Sequence, residues 1–199
     1  VLEPVARALV GVDPHLISAA AIVLAFLAGL SIYLSPDNWR YLLPLASLLV
    51  IASGFLDALD GKVARLAGKA GRRGDFLDHV LDRYADVFMI GAVAISGWCD
   101  PVIGLLAVVG VLMTSYMGTQ AQAVGAGRMY AGLLGRADRV VLLFLAPLLQ
   151  WVLMFYGDGW IDLTWVELSI MEIAMIWFAV VGNLTAVQRA VRTWRDLKE

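Results

Sequence analysis

Apolar residues run along this chain in six blocks, near 16–34, 41–60, 76–97, 101–124, 139–156 and 165–188. Each is close to the roughly 20 residues that a helix needs to cross the hydrocarbon of a bilayer. The stretches between them are SPDN, a long basic segment after Asp60, WCDP, GAGRMYAGLLGR and GDGWIDLT. All carry turn residues that stop one helix and start the next. Ahead of the first block, Leu2, Val5, Ala6, Leu9 and Val10 recur at helical spacing while Glu3 and Arg7 face elsewhere. That pattern predicts a short amphipathic helix over residues 1–11, lying along the membrane surface and ended by Gly11 and Pro14. The expected architecture is an all-α membrane protein of one domain, 1–199. Six transmembrane helices fill 16–188, and residues 189–199 form a cytoplasmic tail.

Composition agrees with the pattern. A mean hydropathy of +0.79 with 16% charged residues falls outside the balance of soluble domains, where about a quarter of residues are charged. The single cysteine, Cys99, excludes an intrachain disulfide and a thiolate metal cluster. Charge placement then gives orientation, because cytoplasmic flanks collect lysine and arginine. Lys62, Arg65, Lys69, Arg72 and Arg73 follow the second block, Arg128, Arg136 and Arg139 precede the fifth, and Arg189, Arg192, Arg195 and Lys198 follow the sixth. Only Arg40 falls on the other side, with Asp37, Asp100, Asp158 and Asp162. A multi-pass protein of the cell membrane is expected, with both termini cytoplasmic.

The chemistry is concentrated at the cytoplasmic ends of the second and third blocks. Asp57 and Asp60 lie three apart and Asp78 and Asp82 four apart, so each pair shares a helical face. A hairpin of these helices brings four carboxylates to one level, where they repel unless a cation joins them. Oxygen-only ligands favour a hard divalent ion such as magnesium, manganese or calcium, and two ions balance four carboxylates better than one. Interfacial aspartates paired with loop arginines are the plainer reading for any one of them. Four in register point to function. Gly61, Gly68, Gly71 and Gly74 permit close backbone approach beside five basic residues, and phosphate is a natural third component of a magnesium site.

Asp57-x-x-Asp60-Gly61-x-x-Ala64-Arg65, eight residues, then Gly74-x-x-x-Asp78-x-x-x-Asp82 resembles at every fixed position the signature of the CDP-alcohol phosphotransferase family. The resemblance implies a six-helix bundle, usually a homodimer, with an amphipathic helix ahead of the first span. It implies transfer of a phosphatidyl-type group from a CDP-linked lipid to an acceptor hydroxyl, with release of CMP, in phospholipid biosynthesis. Asp57, Asp60, Asp78 and Asp82 would hold the metal, Mg2+ or Mn2+ and two ions by charge. Asp82 would also remove the acceptor proton. Asp57, Asp60, Gly61, Ala64, Arg65, Gly74 and Asp78 would bind the CDP-linked donor. His15, in DPHLIS, stands where members often carry asparagine, so an interfacial role rather than a nucleotide contact is expected there.

Arg128, Arg136 and Arg139, with Arg189 at the end of the last span, are candidates for a phosphate on the acceptor, since guanidinium forks suit a phosphate monoester. Together with LDRYAD after the last signature aspartate they look most like members that use inositol 1-phosphate. Glycerol 3-phosphate, as in phosphatidylglycerophosphate synthases, is the alternative acceptor. The implied partners are the lipid donor, a small phosphorylated polyol, membrane lipids and a second copy of the chain, with no nucleic acid. A divalent-cation transporter is the alternative of a different class. It accounts for acidic residues in a membrane but not for the glycine and alanine spacing, and it favours acids nearer the midplane.

Overall fold

The computed structural model describes residues 2–127, 129 and 132–197. Helix α1 (Leu2–Ala8) leads into α2 (Pro14–Leu34). Asp13 sets the start of α2: its carboxylate accepts the His15 amide at 3.0 Å, and Pro14 occupies the first turn, where an N–H has no partner to lose. Next come α3 (Trp39–Leu66) and α4 (Arg72–Ile95), joined by residues 67–71. Gly68 adopts φ 67°, and the Lys69 amide turns back to the Ala64 carbonyl at 2.9 Å, a left-handed cap that stops α3 sharply. Helix α5 (Pro101–Ala123) is capped by Asp100, which accepts the Val102 and Ile103 amides at 2.8 and 3.3 Å. After α6 (Arg136–Tyr156), a ribbon of β1 (Ile161–Asp162) and β2 (Glu167–Leu168) pairs Ile161 with Leu168 antiparallel. One last rod follows, composed of α7 (Ile170–Trp177), a π-helical turn at Phe178–Gly182 and α8 (Asn183–Asp196).

The helices close into a ring: α2 packs on α3 and α4, α3 on α6, α6 on α7, the terminal rod on α5, and α5 on α4. Small residues set the spacing. Ala25, Ala28, Ala46 and Ala107 are fully buried. A Cβ at Gly182 would lie 2.9 Å from the carbonyl carbon of Gly110, so α5 and the rod cross backbone against backbone. Gly104 and Gly110 of α5 thus give close approach inside the chain, to Ala94 and to the rod. At the end of the ring away from the aspartates, polar fasteners replace lipid-compatible packing. The buried Gln150 donates to the Gly159 carbonyl at 2.7 Å and accepts the Ile170 amide at 2.8 Å, and Glu172 accepts the Asp100 amide at 2.9 Å. Leu16, Ile95, Val102 and Leu105 are each more than 60% exposed on outer faces, an inside-out distribution suited to lipid.

Among the described residues, five helices are long and apolar enough to cross a membrane: Pro14–Leu34, Trp39–Leu66, Pro101–Ala123, Arg136–Tyr156 and Ile170–Asp196. The expected third span, α4, is long enough but does not meet the measure of composition. Arg72, Arg73, Asp75, Asp78, Asp82, Arg83 and Asp86 all lie on it. Three boundaries also differ from expectation. Helix α3 continues past Asp60 to Leu66, because the polar residues after the apolar block are still compatible with a helix until Gly68. The last helix begins at Ile170 rather than near 165, since the ribbon takes residues 161–168. It also runs on to Asp196, so much of the expected tail is helical. Helix α1 forms where the periodicity places it, but its apolar face is turned to protein. Ala6 is buried with Ile17, Leu59 and Val63, Leu2, Val5 and Leu9 pack beside them, and Glu3 reaches Lys62 at 3.2 Å.

Candidate active site

The α3–α4 hairpin brings three of the four expected carboxylates together. One oxygen from each of Asp57, Asp78 and Asp82 lies within 4.8 Å of the others. A hard divalent ion takes oxygen ligands at about 2.0–2.6 Å, so this spacing and this all-carboxylate donor set fit such an ion. Asp60, the fourth expected ligand, is buried one turn along α3 and faces α2, where its carboxylate accepts the Ser18 hydroxyl. Ser18 has no role in the sequence reading. It lies 42 residues from Asp60, and only the packing of α2 on α3 brings the two together.

A cavity of about 720 Å³ opens beside these carboxylates, between the start of α2, the end of α3 and the start of α4. Asp57, Asp60, Gly61, Ala64, Arg65, Gly74 and Asp78, the seven residues expected at the donor, all line it. So do His15, Ser18, Lys69 and Asp75, which sequence reasoning left out of the donor site. The glycines are informative because protein packing does not require them. A Cβ at Gly74 meets nothing within 4 Å, and one at Gly61 meets only the Arg65 guanidinium, Nη1 at 3.6 Å and Nη2 at 3.8 Å. Their missing side chains leave room in the cavity rather than between helices. His79 stands beside Asp75 and Asp78, its ring nitrogens 3.9 and 3.6 Å from their carboxylates.

The arginines expected at the acceptor are engaged with the acidic helices. Arg136 opens α6, and its Nη2 contacts Asp57 and, at 2.7 Å, Asp82 Oδ1. Arg139, one turn on and buried, reaches across the ring to Asp86. Arg83 contacts the same Asp86 carboxylate at 3.3 Å and Asp82 at 3.6 Å. Arg83 and Asp86 are three apart on one helix, a local spacing, but Arg139 as the second partner of Asp86 lies 53 residues away and leaves no local signal. Arg189 is buried on α8, and its Nη1 donates to the Thr114 carbonyl at 2.6 Å. Of the candidate arginines among the described residues, Arg136 lines the cavity, whereas Arg139 and Arg189 are turned to Asp86 and to the Thr114 carbonyl. Arg128 lies outside the described residues, as does Lys198.

The geometry has counterparts in known proteins. The family model for CDP-alcohol phosphatidyltransferase matches residues 12–185. The archaetidylinositol phosphate synthase of Pyrococcus horikoshii is 30% identical over 149 residues, covering 74% of this chain and 76% of the relative. The crystal structure of the Mycobacterium tuberculosis phosphatidylinositol phosphate synthase with CDP-DAG bound superposes with a TM-score of 0.77 at 21% identity, over 100% of this chain and 98% of that one. The same Mycobacterium enzyme in complex with manganese and citrate gives 0.74 at 23% identity, over 100% and 93%. These two likenesses show the shared fold, a helical membrane fold. Signature, cavity and family match agree: this chain belongs to the CDP-alcohol phosphatidyltransferase family, a family of transferases.

Proposed function

We propose that this chain transfers the phosphatidyl-type group of a CDP-linked lipid to the hydroxyl of inositol 1-phosphate and releases CMP. The observation that carries this reading is one cavity: the seven donor residues line it, with Asp57, Asp60 and Asp78 of the four aspartates among them. Asp57, Asp60, Asp78 and Asp82 would hold divalent metal, Mg2+ or Mn2+. When bound, such ions would supply charge neutralisation for an in-line displacement at phosphorus. The protein residues orient and exclude. Gly61, Ala64 and Gly74 leave space for the nucleotide, and Arg65 and Lys69 offer cationic partners to the diphosphate. Asp82, one turn deeper than Asp78 and largely enclosed, accepts the proton of the acceptor hydroxyl. That oxygen forms a bond to the lipid-side phosphorus. The bond from phosphorus to the bridging oxygen breaks, and CMP departs with the electron pair.

The acceptor assignment rests on Arg136 at the cavity wall, a guanidinium fork suited to a phosphate monoester, with Arg139 one turn on along α6 and Arg189 as the further candidates. It is also supported by the names of the relatives, whose products are inositol phosphate lipids. The reading includes α4 as a sixth span, its charged first half at the cytoplasmic boundary, with both termini on that side. Two copies of the chain pair in the membrane. The cation-transporter alternative falls with membership of a transferase family.

The test is CMP release by purified protein with Mg2+ and CDP-diacylglycerol or CDP-archaeol, offered inositol 1-phosphate, glycerol 3-phosphate, serine or free inositol in turn. Release with inositol 1-phosphate alone is expected. Release with glycerol 3-phosphate instead would retain the reaction and discard this acceptor, and no release with any pair would sink the reading.

A further inference from the structure

Arg136 does two things that the acceptor role does not require. It lines the cavity, and it places one guanidinium nitrogen on both Asp57 and Asp82, carboxylates of different helices that also belong to the metal-fitting cluster. Those two aspartates are fixed: they lie well inside α3 and α4, and their side chains are only 20% and 15% exposed. The Arg136 side chain is 45% exposed and is carried by the first residue of α6, beyond which the chain is a connecting segment. Of the groups in this contact, Arg136 alone has room to leave.

The geometry points to Arg136 as an internal counter-cation that competes with divalent metal for Asp57 and Asp82, so that metal loading frees its guanidinium to face the cavity and take an anionic ligand there. This inference deepens the proposed function and rests on its metal site. The oxygens cannot serve both partners at full strength, because a carboxylate that donates electron density to a small dication within about 2.0–2.6 Å leaves a guanidinium on the same oxygen facing like charge. Arg136 therefore holds the carboxylates together and offsets their repulsion before loading, and is repelled after it. Linkage makes the effect reciprocal: an acceptor phosphate that draws Arg136 away from the aspartates strengthens metal binding by the same factor by which metal strengthens acceptor binding. The pairing gives the site an order, with metal first and phosphorylated acceptor second.

The experiment uses the full-length purified chain, stripped with chelator, and reads free Mn2+ by electron paramagnetic resonance without substrate. Arg136→Gln is expected to bind Mn2+ about tenfold more tightly than the natural chain, and Arg136→Lys to fall between them. Asp57→Asn should lose Mn2+ in either background, which locates the ion. Equal or weaker Mn2+ binding by Arg136→Gln, with Asp57→Asn still abolishing it, would overturn the competition while the metal site stands. Absence of Mn2+ binding from both the natural chain and Arg136→Gln would remove the metal reading, and this inference with it. A second readout needs no variant: phenylglyoxal modification of Arg136, followed by peptide mass spectrometry, should be several-fold faster with Mn2+ than with chelator. An unchanged or slower rate counts against release of the guanidinium.

Discussion

At the scale of single residues, the four aspartates carry distinct expectations. Asp82→Asn keeps a polar group of the same shape but removes the proton acceptor, so transfer should fall by a factor on the order of 10²–10⁴ while CDP-lipid binding is partly retained. Asp57→Asn should weaken Mn2+ and donor binding together. Equilibrium binding of a labelled CDP-lipid beside turnover separates the two patterns, and normal turnover in either variant would remove that residue from the site. Gly61 offers a sharper case, because it sits in the interior of α3 with open cavity in front of it. Gly61→Ala should stabilise the helix by about 0.5–1 kcal/mol, raising Tm slightly, and at the same time raise the KM for donor. A variant with unchanged KM would show that the space is not used by substrate. The meeting of Asp57 with Asp78 and Asp82 was legible in the sequence, because the spacing of each acidic pair sets a face of its own helix and the chain between them is short. Ser18 against Asp60, and Arg139 against Asp86, were not. These pairings span 42 and 53 residues, and a single sequence does not mark which buried charge meets which.

At the scale of elements, hydropathy found the helices better than their ends. Helix α3 outruns its apolar block to Leu66 and α4 begins at Arg72, so the carboxylates sit inside helices rather than at their tips, where frayed backbone would hold them less firmly. The same shift shortens the basic loop to residues 67–71. The amphipathic pattern of α1 was correctly periodic, yet periodicity cannot say whether an apolar face meets lipid or protein. Here Leu59 and Val63 of α3 supply the partner surface. The link between α4 and α6 has a consequence of its own. Arg139 and Asp86 are both buried, so Arg139→Ala leaves a carboxylate with Arg83 as its remaining partner in that group, at a cost below the about 3–5 kcal/mol of a buried charge left wholly unpaired. Thermal unfolding in detergent should show a marked drop in Tm, and the double variant Arg139→Met with Asp86→Leu should recover much of it. An Arg139→Ala protein as stable as the natural one, with only a raised acceptor KM, would assign Arg139 to the acceptor alone.

At the scale of the whole molecule, the ring joins helices that are far apart in sequence: α3 to α6, and α5 to the terminal rod. Only the α3–α4 hairpin completes its acidic cluster from neighbouring segments. A ribosome adding about 5–20 residues per second finishes Asp82 several seconds before it reaches Arg136, and later still Arg139 and Arg189. The nascent chain therefore carries its four carboxylates before any of the arginines from α6 and α8 exists to meet them. For that interval the basic residues of the hairpin itself, Lys62 to Arg73, are the chain's nearby source of positive charge.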